Sequence, residues 1–199
     1  AKMCGNGIRC VGKYVYDKGY TNKLHLRIET LSGIRTLNLQ VTDGKVDNVT
    51  VDMGKAAVQE DMRLLVDGAE AVCTPVTVGN PHAVLFVNDI DKVPLTTLGP
   101  KLERHTAFPD GVNVEFVQVL GNNALRMRVW ERGSGVTMAC GTGACASVMA
   151  AISKNYCCYD APVAVYLDGG TLVIRIASDN TVTMTGPAEI VYEGEIKLC

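Results

Sequence analysis

The stretch "AKMCGNGIRC" (residues 1–10) sets a cysteine directly before Gly5-Asn6-Gly7, and "MACGTGACAS" (residues 138–147) repeats the arrangement at Cys140. Downstream of each, apolar residues return at helical spacing. Ile8, Val11 and Val15 follow the first motif, with Gly19 as a stop, and Ala144, Cys145, Val148, Met149 and Ile152 follow the second. The spacing predicts helices over residues 6–18 and 142–154. Between them, "KLHLRIET", "IRTLNLQVT" and "VDNVTVDMG" alternate apolar and polar residues, with "TLSGI" and "TDGK" as turns, and predict an antiparallel meander. "MRLLVDGAEAVCTPVTVGNPHAVLFV" adds strands broken by Gly and Pro. "PLTTLGPKLERH" reads as a short helix, and "GVNVEFVQVLGNNALRMRVWER" as a hairpin turning at Gly121-Asn122. The tail holds three or four strands, with turns at Gly169-Gly170 and Asp179-Asn180.

Each helix thus follows a CGxG turn and each is accompanied by strands, which is an internal repeat of one unit. The repeat predicts an α+β fold of two pseudo-symmetric domains. Each is a mostly antiparallel or mixed sheet wrapped around a central helix, and the two helix starts converge on a shared cleft.

Composition narrows the class. The 199 residues are 47% hydrophobic and 20% charged, with a formal net charge of −2, as in an ordinary soluble globular protein. No basic stripe points to nucleic acid, and no apolar run spans a bilayer, so a cytoplasmic protein without nucleic-acid or membrane partners is expected. The eight cysteines include no CxxC pair and no His at metal-ligand spacing, so neither zinc nor another metal is expected. Cys73, Cys145, Cys157 and Cys158 read as small buried hydrophobes. The chain begins on Ala1 with no strand ahead of the first motif, which reads as a chain lacking its N-terminal part.

A cysteine just before a helix sits where unpaired N–H groups and the positive dipole end converge. Its thiol pKa is expected to fall, and the same N–H groups can seat an anion. Half-ionisation at pH 7 needs roughly 1.5 units, about 2 kcal/mol. A helix end supplies about 0.3–1 kcal/mol, and about 2 at most, so a further polar neighbour is expected. Two such turns face to face can take a proton from one side of a carbon and return one to the other. That is racemisation or epimerisation beside a carboxylate, with the two sulfurs sharing one proton.

"MCGNGIRC", "GNPHAVLFV", "GVNVEFVQV", "ERGSGVTMACGTGACAS" and "GPAEIVYEGEI", taken together, resemble the diaminopimelate epimerase family. The resemblance covers essentially the whole chain. It implies two pseudo-symmetric domains with the active site between them: residues 1–55 with a closing strand near 188–199, and residues 56–187. It implies an isomerase that interconverts LL- and meso-diaminopimelate in lysine and peptidoglycan-precursor biosynthesis, without pyridoxal phosphate or any other cofactor. Carried over by motif, Cys4 and Cys140 are the acid/base thiols, and Gly5, Asn6, Gly141 and Thr142 hold the reacting carboxylate. Asn80, Asn113, Glu131 and Arg132 bind the rest of the substrate, and His82 and Glu131 help set the thiol pKa values. His25 and His105 receive no role.

The family carries a stretch ahead of Cys4 that this sequence lacks. The 199-residue chain alone is therefore expected to be inactive or nearly so, with the missing part a separate chain or cleaved. A homodimer through the face around Tyr192 stays open. Rival readings are a proline or hydroxyproline racemase, whose first motif resembles CGHG, and the related isomerase of phenazine synthesis, which lacks the cysteine pair. From other classes come a non-enzymatic thiol redox module built on Cys4 and Cys140, and a cysteine hydrolase using Cys140 with His82, for which no triad motif is present.

Overall fold

A computed structural model describes residues 4–121 and 123–197. Its strands are β1 (His25–Thr30), β2 (Gly33–Thr42), β3 (Lys45–Lys55), β4 (Ala57–Val58), β5 (Met62–Val66), β6 (Ala69–Thr77), β7 (Pro81–Phe86), β8 (Asn113–Gly121), β9 (Ala124–Glu131), β10 (Gly135–Thr137), β11 (Val163–Leu167), β12 (Gly170–Ile176) and β13 (Thr181–Pro187). Among the described residues three α-helices accompany them: α1 (Gly5–Asp17), α2 (Leu95–Glu103) and α3 (Gly141–Ser153). Hydrogen bonding links the strands in the order β1-β2-β3-β13-β12-β11-β9-β8-β7-β6-β4, with β10 added to β9 and β5 to β6. The pairs β7–β8 and β9–β11 are parallel, and the other pairs are antiparallel, so the sheet is mixed. The fold is α+β.

The two predicted helices begin one residue earlier than expected, because each cysteine is itself the N-cap. α3 is apolar on every side and buried from Gly141 to Ile152 apart from Thr142, with strands β4, β6 to β9 and β11 to β13 packed about it. A helix with this composition cannot face water, and the sheet therefore curls around it. α1 lies on β2 and β3. Its inner face is Gly5, Ile8, Arg9, Gly12 and Lys13 rather than the expected Ile8, Val11 and Val15 stripe: Val15 is only half-buried and Val11 is exposed. Two cations reach the inner face because each finds partners. Lys13 donates to the Val46 carbonyl at 2.5 Å and pairs with Asp17 at 3.0 Å, and Arg9 donates to the carbonyls of Gly5 and Pro187, each at 3.1 Å. α2 covers the opposite surface of β8 and β9 over a second apolar cluster that includes Leu95, Leu102, Val114 and Phe116.

Two expectations need correction. Residues 188–197 form no strand, and Val191, Tyr192 and Ile196 are exposed. Among the described residues this segment takes no place in the strand ladder, so its backbone groups lack the partners a strand needs. Cys158 is exposed, whereas Cys73, Cys145 and Cys157 are buried as expected. Residues 157 and 158 lie in the irregular turn after α3, where neighbouring side chains point different ways. Asn122 of the predicted hairpin turn and Cys199 lie outside the described residues. No helix among the described residues is long and apolar enough to cross a membrane.

Candidate active site

The starts of α1 and α3 meet. A Cβ placed on Gly141 would lie 3.6 Å from the Gly5 Cα and 2.9 Å from the Met184 sulfur, so glycine at both positions lets the two backbones approach. The Asn6 side chain ties the two motifs together. Its amide donates to the Ala139 carbonyl at 3.3 Å, and its oxygen accepts from Arg9 at 3.3 Å. Between the helix starts opens a cleft of about 390 Å³, whose walls include Cys4, Gly5, Asn6, Asn80, Glu131 and Arg132 together with Cys140, Gly141 and Thr142.

The two cysteines have matching local geometry. Each adopts an extended backbone at the N-cap, and each sulfur accepts the N–H of the residue three positions on, Gly7 or Gly143, at 3.4 Å. The next N–H groups enter the helices, Ile8 to the Cys4 carbonyl at 2.9 Å and Ala144 to the Cys140 carbonyl at 3.0 Å. The earlier first-turn N–H groups, which a helix cannot satisfy internally, belong to residues that line the cleft. Such N–H groups at a helix start can accept an anion.

The surroundings of Cys140 reverse the expected direction of its pKa. Burial, followed by the carboxylates of Glu115 and Glu131, pushes the thiol up to about 12, against smaller lowering from the Thr142 hydroxyl and the Gly143 N–H. A helix start offers too little to outweigh desolvation of a nearly buried sulfur. Cys4 is exposed.

Among the described residues, His82 hydrogen-bonds to neither sulfur. Its Nδ1 meets Glu115 Oε1 at 2.7 Å and its Nε2 meets Asn80 Oδ1 at 3.0 Å, with the His82 and Glu115 side chains fully buried. Burial holds the Glu115 carboxyl above the ordinary carboxylate range, with His82 drawing it back. Asn113 is likewise behind the cleft wall. It donates to the Pro81 carbonyl at 3.2 Å and accepts the Arg132 N–H at 2.9 Å, so it braces two neighbouring segments. Glu131 accepts from the Thr137 hydroxyl, and the Arg132 guanidinium donates to the Asp110 carbonyl at 2.9 Å.

The cleft also contains residues that the sequence alone does not single out: Ser32, Arg35, Met53, Val78 and Gly79. Arg35 carries a buried Nε with no partner among the described residues, and its guanidinium fits over Gly54, where a Cβ would come within 2.9 Å of Nη1. A charged residue in the alternating strand "IRTLNLQVT" is ordinarily solvated, so nothing in the local pattern marks it. Glu115 differs in that it lies inside the "GVNVEF" run, where an acidic residue among apolar neighbours is the one available signal. No group of three or more His, Cys, Asp or Glu side chains among the described residues is arranged to hold a metal.

Comparison with known proteins places this geometry. A family profile described as diaminopimelate epimerase matches residues 1–59 and 74–191. A protein of Bacillus licheniformis named diaminopimelate epimerase is 46% identical over 208 residues, spanning 98% of this chain and 73% of the relative. One of Phocaeicola vulgatus with the same name is 49% identical over 211 residues, spanning 100% of this chain and 75% of the relative. Among solved structures, a Bacillus anthracis phenazine biosynthesis protein superposes with TM-score 0.77 at 13% identity, over 100% of this chain and 77% of its own. A hydroxyproline epimerase from Agrobacterium vitis gives TM-score 0.74 at 19% identity, over 94% of this chain and 64% of its own. The distant structures establish the fold, and the close relatives, together with the profile, establish that the chain belongs to the diaminopimelate epimerase family.

Proposed function

We propose that the chain interconverts LL- and meso-diaminopimelate by a two-base proton transfer between Cys4 and Cys140. The observation that carries this reading is the meeting of two cysteine-capped helix starts in one cleft. The substrate's reacting carboxylate sits on the first-turn N–H groups of Gly5, Asn6, Gly141 and Thr142. The electron-withdrawing seat lowers the cost of the carbanion that forms at the adjacent carbon. One sulfur, as thiolate, removes the α-proton, and the other, as thiol, delivers its proton to the opposite face. Atoms balance: the carbon exchanges one hydrogen for another, and the sulfurs exchange ionisation states. The raised pKa of Cys140 keeps it the thiol in the substrate-free enzyme, ready to deliver its proton.

The distal end of the substrate is itself an amino acid. Glu131 suits its ammonium, and Arg132 and Asn80 its carboxylate. His82 and Asn113 act from behind the wall, as braces of Asn80 and Arg132.

Proton NMR of the complete gene product in D₂O under reductant tests the assignment. Deuterium enters one α-carbon of diaminopimelate, and Cys4→Ala and Cys140→Ala each abolish epimerisation. Exchange of proline in place of diaminopimelate would overturn the substrate, and epimerisation surviving in either cysteine variant would overturn the two-base step.

A further inference from the structure

From the Cys140 sulfur a single file of polar contacts leads into the protein. Thr142 Oγ1 lies 3.5 Å from the sulfur, and Asn80 Nδ2 donates to Thr142 Oγ1 at 3.3 Å. Asn80 Oδ1 meets His82 Nε2 at 3.0 Å, and His82 Nδ1 meets the buried Glu115 at 2.7 Å. The directions of the bonds behind Thr142 follow from their atoms, and the last is fixed once the sulfur is a thiolate. An amide oxygen only accepts, so His82 Nε2 carries a hydrogen. The threonine oxygen accepts from Asn80 and keeps its own hydrogen free, and a Cys140 thiolate, which can only accept, stands in reach of it. At the far end Glu115 and His82 hold one proton between them, the arrangement that satisfies Nδ1 while Nε2 remains a donor.

We propose that Glu115 is a positioning residue for Cys140: through His82, Asn80 and Thr142 it holds the threonine hydroxyl as a hydrogen-bond donor to the sulfur. With the Gly143 N–H at 3.4 Å, the sulfur then has two donors. Two donors suit the thiolate that remains after Cys140 has given up its proton, in a pocket otherwise hostile to charge. The proposal rests on the reading of Cys140 as a proton-transfer thiol. It gives Thr142 a second task, since the resemblance assigned that position only to carboxylate binding.

The titratable and charged groups around the sulfur include Glu115 on β8, Glu131 on β9, His82 on β7 and Cys145 on α3 itself, with Arg9 of α1 near Cys145 and with Cys4, Arg35 and Arg132 lining the same cleft. Glu115 therefore acts on Cys140 in two opposed ways. Its charge disfavours the thiolate, and its hold on the relay favours it. Removing the side chain separates the two by sign.

The test is the rate at which iodoacetamide labels Cys140 at pH 9 in the complete gene product, followed by peptide mass spectrometry. Thr142→Val slows labelling about tenfold, the equivalent of one pKa unit, and Thr142→Ser restores it to within about twofold. Glu115→Met also slows labelling, but by less than Thr142→Val because the loss of its charge works the other way, and it brings no further slowing to Thr142→Val, because both act through one chain of bonds. Glu115→Gln does not slow it, since its amide donates to His82 Nδ1 and leaves the Nε2 hydrogen on Asn80. Faster labelling in Glu115→Met, or a Glu115→Met effect that multiplies that of Thr142→Val, overturns the proposal. If Glu115→Met does not fold, Asn80→Asp asks the same question at a half-buried link. The carboxylate introduced there has no N–H to give, so the threonine hydroxyl turns to it. Labelling then falls further with Thr142 present than in Thr142→Val; equal falls overturn the relay. Labelling needs no turnover, so relay and epimerisation succeed or fail separately.

Discussion

At the residue scale the two cysteines, alike in sequence, are made unlike by what surrounds them. Cys140 is buried beside Glu115 and Glu131, whereas Cys4 is exposed. Only the thiolate is alkylated, and a thiol whose pKa is pushed up to about 12 is almost wholly protonated at neutral pH. Its thiolate fraction then rises with pH. Labelling of Cys140 by iodoacetamide in the substrate-free enzyme is expected to climb about tenfold per pH unit between roughly pH 7 and 10 with no plateau. A plateau below roughly pH 9 would place the resting proton elsewhere. Gly143 gives a second residue-level expectation. A Cβ there would lie 2.7 Å from Glu115 Oε1 and 3.3 Å from the Cys140 Cβ, so Gly143→Ala must displace a fully buried carboxylate. It should cost about 1–3 kcal/mol in a urea titration and lower kcat while leaving KM nearly unchanged. The cysteines and the glycines were legible in the sequence because a cap motif is local. Glu115 and Arg35 were not, because their significance depends on which strands lie beside them.

At the element scale, α1 must hold Cys4 against its counterpart, and it does so over a glycine. A Cβ on Gly12 would lie 2.8 Å from Leu37 Cδ2 and 3.1 Å from Leu39 Cδ2, both buried side chains of β2. In an exposed helix alanine would be worth roughly 1 kcal/mol more than glycine. Here the clash outweighs that gain, and Gly12→Ala is expected to destabilise by about 1–3 kcal/mol in chemical denaturation. A stabilised variant would mean α1 sits farther from β2. The same contact explains why the apolar spacing of Ile8, Val11 and Val15 misplaced the buried face. The closest approach is made by a residue without a side chain, and the flanking cations Arg9 and Lys13 are buried because carbonyls and Asp17 receive them. Helix existence, helix starts and the alternating strands were readable from period and caps. The parallel pairs β7–β8 and β9–β11 were not, since periodicity within one strand carries no information about its neighbour's direction.

At the scale of the whole molecule, the internal repeat raises the question of whether its two halves are mechanically separate. β13 pairs with β3 on one side and β12 on the other within one sheet, and one apolar cluster runs from Ile8 and Leu37 beneath α1 to Ala144 and Ile174 around α3. Met184 of β13 sits between the starts of α1 and α3. It is fully buried, its sulfur and methyl reach the positions where side chains on Gly5 and Gly141 would lie, and Arg9 Nη1 is 3.9 Å from the sulfur. A thioether is flexible enough to fill the wedge between two converging helix starts. Met184→Ala removes that filling from both sides at once. The expected loss is about 2–5 kcal/mol of stability. Because the core is continuous, unfolding should remain a single transition, shifted to lower denaturant, with the fluorescence of Trp130 on β9 and the far-UV circular dichroism moving together. The cleft should suffer as well. With the wedge gone the two sulfurs are no longer held at a fixed separation, and kcat should fall by more than the loss of folded protein explains. Separate transitions from the two probes would show that the halves fold independently, and the geometry of the cysteine pair would then have to be set by the substrate rather than by the core.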